Sequence, residues 1–273
     1  MAENFFEADV GGVLAETIRE SDGDVYAVNL GRETLPDLIF RLHEVEGPPT
    51  VRLLVDWDEI TSTMNDFVVA GHAADLVAAD ALDIRLLADA PRASLLVSES
   101  TVVSLVHAGS RVGGLSATED AFVADAWARY DDLWAASEDY SLRTPPLSDV
   151  RETLAAELGE DVREDFDAIL DDLSSVTGDG DDLDEVTLAL LAGARHSELL
   201  YEISKWGEDV GLASKATFSR SKSDLEEVGI VETEKVPIDV GRPRLRLRLA
   251  DDLHGAPIPE LVATARERLA DAE

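Results

Sequence analysis

Nine basic residues between positions 205 and 248 have the clearest chemistry in this 273-residue chain. They are Lys205, Lys215, Arg220, Lys222, Lys235, Arg242, Arg244, Arg246 and Arg248, and they include all four lysines of the sequence. The same window holds eight acids, so its net charge is +1. Residues 1–204 carry 12 bases against 44 acids, and the whole chain has a formal charge of −35. One segment has thus escaped the acidic bias of the rest. A polyanionic partner is the simplest reason.

The order of residues within the window sharpens that reading. KATFSRSKSDLEEVG has helical spacing, with Ser214 as its N-cap. Its first half offers Ser214, Lys215, Thr217, Arg220 and Ser221, and its acids begin only at Asp224. Helix N-termini favour phosphate through free N–H groups and the helix dipole, and the N-terminal half of a recognition helix meets the base edges of DNA. Downstream, Arg242, Arg244, Arg246 and Arg248 alternate with Leu245, Leu247 and Leu249. Period two puts arginines on one strand face and leucines on the other. Arg242 and Arg244, nearest the tip, are the candidates for reaching DNA. Arg246 and Arg248 are equally suited to pairing with Glu232 and Glu234 across the strand. Lys222 falls four after Phe218 and three before Leu225, where an apolar residue belongs. Either its stem snorkels over the core edge or the helix is rotated. Trp206 reads as core, and Lys205 and Lys235 as solvated or phosphate-facing.

Other chemistries find less support. With no cysteine, disulfides, zinc thiolate sites and thiol catalysis are excluded. VGGL and DVGG are too short to be phosphate-binding loops, and no cofactor or metal is expected. His107 alternates within a strand-like run. DWDE places Asp56, Trp57 and Asp58 after another such run. Ligands of open α/β sheets bind at that end of a strand, so these three are candidate ligand-binding residues. Among 58 acids, however, a solvated acidic face is the ordinary reading. The N-terminus lacks a signal-peptide pattern and no apolar run reaches about 18 residues, so a cytoplasmic protein without membrane contact is expected.

The elements that must position these residues fall into four segments. Residues 1–142 read as an α/β domain. Its strand-like runs lie at 24–30, 51–56, 84–89, 93–99, 102–108 and 111–116, with helical patterns between, which predicts a mainly parallel sheet with a hairpin-like section at 93–116. RTPP marks a boundary, and 143–182 read as an acidic helical linker. Residues 183–250 read as three helices, a strand, a wing and a second strand. Residues 198–210 form the second helix, and Gly211 stands in the turn where the backbone needs positive φ. Residues 251–273 hold a C-terminal amphipathic helix, suited to pairing with a second copy or packing on the N-terminal domain.

SKATFSRSKSDLEEVGIVETEKVPIDVGRPRLRLRL resembles the recognition helix and wing of archaeal and bacterial winged-helix regulators. The whole chain resembles haloarchaeal regulators of the TbsP type. Through VRLLVDWDE, IRLLADAPRASLLVSESTVVSLV and EDAFVADAWARYDDLWAAS, the first half is similar to the phospholipase-D-like effector domain of TrmB-type regulators. The resemblance implies a non-catalytic phospholipase-D-like α/β domain, a winged helix-turn-helix, and an effector related to sugars or central-carbon metabolism. Phospholipase D chemistry needs a His-x-Lys pair, and residues 1–204 contain no lysine. The expectation is therefore a sequence-specific regulator, not an enzyme, binding double-stranded DNA as a homodimer. The acidic surface points to a halophilic archaeal cytosol, where molar salt cuts the Debye length to about 3 Å and screens self-repulsion. The competing reading is an acidic adaptor whose basic hairpin docks on a protein partner.

Overall fold

The computed structural model describes residues 5–7, 10–21, 23–88, 93–109, 111–175, 183–237 and 243–272. They form two compact units, Met1–Pro146 and Leu147–Glu273.

The first unit runs β1 (Phe5–Glu7), α1 (Val10–Glu20), β2 (Val25–Val28), α2 (Leu35–Glu44), β3 (Val51–Val55), α3 (Trp57–Thr63), α4 (Phe67–Ala78), β4 (Leu82–Leu86), β5 (Leu95–Val97), β6 (Val102–Ala108), β7 (Arg111–Ala117), α5 (Asp120–Ala136) and β8 (Glu138–Asp139). The strands make one sheet in the order β1-β7-β6-β5-β2-β3-β4-β8. Only β2–β3 and β3–β4 pair in parallel, and every other neighbour is antiparallel. The sheet is therefore mixed, not mainly parallel. A parallel neighbour needs a crossover of a dozen or more residues. Between Leu86 and Leu95 the chain has too few for one, so β5 returns from the edge at which β4 ended and runs back beside β2.

Both faces of the sheet are covered. Val25 and Ala27 of β2 join a core built with α1, α2 and α4, which includes Leu14, Leu38 and Val69. Tyr26 and Val28 point the other way, into a core with Val123, Tyr130 and Trp134 of α5. Strict alternation on a strand buried from both sides explains why VYAV reads as a continuous apolar run.

The second unit runs α6 (Leu147–Leu158), α7 (Glu160–Ser175), α8 (Glu185–Arg195), α9 (Leu200–Asp209), α10 (Lys215–Glu227), β9 (Val231–Val236), β10 (Arg244–Leu249), a 3-10 turn (Asp251–Leu253) and α11 (Ile258–Ala270). Here the structure corrects the expected linker at 143–182. Val150 and Leu154 of α6 are buried, as are Phe166, Ile169 and Leu170 of α7. The two helices pack on each other, and α7 also packs on α8 and α11. Two polar ties fix the arrangement. Trp206 of α9 donates its indole N–H to Thr153 of α6 at 2.9 Å. Asp165 of α7 accepts from Arg195 at 2.6 Å and from His196 at 2.8 Å. The acidic helices are thus the foundation of the helix-turn-helix, and α11 packs within the same unit.

Candidate nucleic-acid interface

Two helical glycines set how closely the helices of this unit approach. A Cβ on Gly207 of α9 would stand 2.3 Å from the ring of Phe218 on α10, and one on Gly193 of α8 would stand 2.6 Å from Ile203 on α9. Phe218 seats in the gap that Gly207 leaves. The turn between α9 and α10 passes through Gly211 at φ +85°, a conformation that side chains with a Cβ rarely adopt. Ser214 then caps α10, its hydroxyl accepting the Thr217 N–H at 3.2 Å. Ser214 and Thr217 also link hydroxyl to hydroxyl at 3.0 Å. Their first task is to start the helix.

β9 and β10 pair antiparallel, and a single bridge from Leu199 to Arg246 adds a one-residue third strand. Leu247 and Leu249 are buried. Arg248 pairs with Glu234 at 2.7 Å, the cross-strand one of the two roles open to it. Arg244 lies 4.0 Å over the ring of Tyr201 on α9 and is bonded to Glu202. Arg242 falls outside the described residues.

A groove of about 380 Å³ lies at the meeting of α9, α10 and the wing, lined among others by Tyr201, Ser204, Lys215, Ser219 and Arg244. Two of the residues predicted from sequence, Lys215 and Arg244, are brought together there. Ser219, Tyr201 and Ser204 were not foreseen. Tyr201 is 45% exposed and falls off the stripe of Ile203 and Trp206, the one signal that set it apart. Arg220 is exposed on the outward face of α10 and makes no ion pair among the described residues, and the same holds for Lys235.

The electrostatics differ from those read in sequence. Several of the cations are already paired. Lys215 is bonded to Glu208 of α9, Lys205 to Asp209 at 2.6 Å, and Arg244 to Glu202. The bond from Lys215 holds the Glu208 carboxyl below its ordinary value, and the carboxylate raises Lys215 in return. Asp209 is lowered by Lys205 in the same way. Lys222 resolves by snorkelling. Its stem is buried, and its ammonium reaches Glu226 at 2.6 Å. Burial alone would raise the Glu226 carboxyl, but the bonds from Lys222 and Thr233 outweigh it and hold it low. Glu226, held by Lys222 on its own helix, therefore ties α10 to β9 through Thr233.

In the first unit, Asp56, Trp57 and Asp58 open α3 directly after β3. Asp56 is the N-cap, accepting the Asp58 N–H at 2.8 Å, and Glu59 accepts the Arg32 N–H at 2.7 Å. Trp57 is 55% exposed and meets the Tyr140 ring edge-on at 6.0 Å between centroids.

Family comparison assigns both units. Residues 146–266 match the C-terminal HTH domain of TbsP-like transcriptional regulators, and residues 2–145 match the N-terminal region of the same regulators. The chain belongs to the TbsP-like transcriptional regulators. That family is one of regulators, not enzymes, and its HTH domain is the DNA-binding part. Among curated proteins, none matches the TbsP-like chain. Among the solved structures similar to it are three that align over 51% of its length. One is TrmBL2, an archaeal chromatin protein described as having a novel mode of DNA binding, at 11% identity and TM-score 0.38 over 53% of that chain. The others are the phospholipase D family member Nuc from Salmonella typhimurium, at 10% identity and TM-score 0.37 over 97% of that chain, and NucT from Helicobacter pylori, at 9% identity and TM-score 0.37 over 100% of that chain. In the TbsP-like chain the α/β unit and the helix-turn-helix unit are the two fold classes expected. Among its described residues no helix is long and apolar enough to cross a membrane.

Proposed function

We propose that the chain is a sequence-specific regulator that reads double-stranded DNA with the first half of α10, through Ser214, Lys215, Thr217, Arg220 and Ser221. The wing residues Arg242 and Arg244 hold the flanking backbone or minor groove. One observation carries this reading: Arg220 stands exposed and without an ion pair among the described residues, on an acid-free half-helix beside a groove that gathers Lys215 and Arg244. Arginine suits the task, because its planar fork bonds base edges and phosphates in two places at once. It matters more in concentrated salt, where counterion release contributes little affinity. The −35 charge supports a halophilic cytoplasm as the setting. A homodimer would double the interface and place two α10 helices about 34 Å apart, one DNA turn.

Asp56, Trp57 and Asp58 are proposed to face a sugar-type or central-carbon effector. Supporting this are their place at the C-terminal end of β3 and the exposure of Trp57, an apolar face of the kind sugars stack on.

DNA binding in molar KCl tests the main proposal. With folding unchanged, Lys215→Ala/Arg220→Ala should abolish specific binding. Unaltered binding would overturn the assignment, and capture of an acidic protein with no DNA affinity would favour the adaptor instead. Thermal shift of the full chain with sugars and sugar phosphates tests the effector. A shift lost in Trp57→Ala is expected, and no shift across the panel would overturn the effector reading and leave Asp56 with only its N-cap role.

A further inference from the structure

The first unit holds a cluster that the regulatory reading does not use. Its members are His43 in the last turn of α2, and His72 and Asp75 one turn apart on α4. The helices pack on each other, which brings residues 29 positions apart in sequence to one place. One nitrogen from each imidazole and one carboxylate oxygen of Asp75 all lie within 4.8 Å of one another. The two rings stand edge to face with centroids 4.7 Å apart, and Phe40 walls the far side at 5.6 Å from the His72 ring.

We propose that His43, His72 and Asp75 bind a divalent transition-metal ion of the zinc, cobalt or nickel class. The donor set decides the class. Two imidazoles and a carboxylate suit borderline ions, whereas magnesium and calcium select all-oxygen shells. Around a tetrahedral ion with bonds of about 2.0–2.1 Å, donors stand roughly 3.4 Å apart, so side-chain rotation without backbone movement closes the site. One bond already prepares a ligand. His43 Nε2 lies 3.0 Å from the backbone carbonyl of His72. A carbonyl can only accept, so Nε2 carries the proton and Nδ1 holds the lone pair a metal needs. An outer hydrogen bond of this kind orients most metal-binding histidines. Three protein ligands leave a fourth position open to water or a small ligand.

The test uses tag-free, chelator-treated full chain titrated with Co²⁺. One ion per chain should develop the intense visible bands of a tetrahedral site, and Zn²⁺ should displace it. Zn²⁺ should also raise the Tm. His43→Gln, His72→Gln and Asp75→Asn should each lower affinity at least about tenfold. His43 is exposed, so His43→Gln should keep the apo Tm of the parent. A cobalt spectrum that stays that of the hydrated ion overturns the proposal. So does binding that survives in all three variants.

Discussion

Both units place an arginine over an aromatic ring, and the two regions use the pair differently. In the sheet, Arg52 lies 5.5 Å over Tyr26 and Arg85 lies 4.7 Å over Trp134. Those rings are 0% and 8% exposed, so the arginines close a finished core. Arg52 also donates to the Tyr26 hydroxyl at 2.8 Å, and that hydroxyl donates to Asp131 at 2.8 Å. Burial raises the Tyr26 phenol, which keeps it protonated as a donor. In the winged unit the ring under Arg244 is Tyr201, which is 45% exposed at the mouth of a groove. The contact geometry is shared, but one pair is filled by the fold and the other still faces solvent. Chemistry alone therefore does not mark an interface; what lies on the far side of the ring does.

The largest expected effect comes from the close approach that shapes the second region. Gly207→Ala should gain about 1 kcal/mol of helix propensity anywhere else. Here the added methyl meets the Phe218 ring, and overpacking of this kind costs about 1–3 kcal/mol. Because Phe218 carries α10, DNA affinity should fall more than tenfold, read by thermal melting and by titration of operator DNA. A variant as stable and as tight-binding as the parent would show that α9 and α10 are not held by this contact.

Next comes the exchange that tests the contrast itself. Arg52→Met should lower stability by about 1–3 kcal/mol, the usual cost of leaving partly buried partners without a donor, with DNA affinity unchanged. Arg244→Met should do the reverse: stability within about 0.5 kcal/mol of the parent and DNA affinity reduced about tenfold. Equal losses of stability in the two variants would erase the distinction between a filled and an open pair.

The same two regions show what could be read from sequence. The N-cap of Ser214, the positive φ at Gly211 and the burial of Trp206 all follow from local rules, because each depends on neighbours within a turn or two. Strand direction does not. The run at 93–117 looks alike whether β5 runs up or down, and only the short connection from β4 decides it. α6 and α7 read as a linker because acids dominate their exposed faces. Their apolar positions, Val150, Leu154, Phe166, Ile169 and Leu170, had the right period, but nothing local says that α8 and α11 will cover them. α3 has no such local signature, because DWDE reads equally as a solvated acidic face, when Asp56 is its cap. The interface was half legible. Its cations stand out against an acidic chain, but their partners Glu202 and Glu208 come from another helix, across the turn.

Those partners give a smaller effect with the opposite sign. Glu208→Gln and Glu202→Gln remove carboxylates that neutralise Lys215 and Arg244 in the free protein. Exposed pairs contribute little, because water and salt screen them. Each variant should therefore bind DNA only about two- to fivefold tighter, with a steeper dependence on salt by about one charge. Weaker binding would mean that the carboxylates orient the cations toward DNA instead of masking them.

The smallest effect is a shift in titration, and its sign follows from linkage. The Glu208 carboxyl is held below its ordinary value by the bond from Lys215. Its contribution to folding is thus present above the usual glutamate range and disappears as pH falls through the lowered value. If Lys215 moves to a phosphate on binding, Glu208 loses that bond and its carboxyl rises back toward the ordinary range. The complex then holds more protons than the free protein within that interval, so affinity should increase as pH falls through it. Carboxyl NMR of Glu208 with and without operator DNA reads the shift directly. A carboxyl that stays low in the complex would place Lys215 still on Glu208, leaving Arg220 as the cation that meets the DNA.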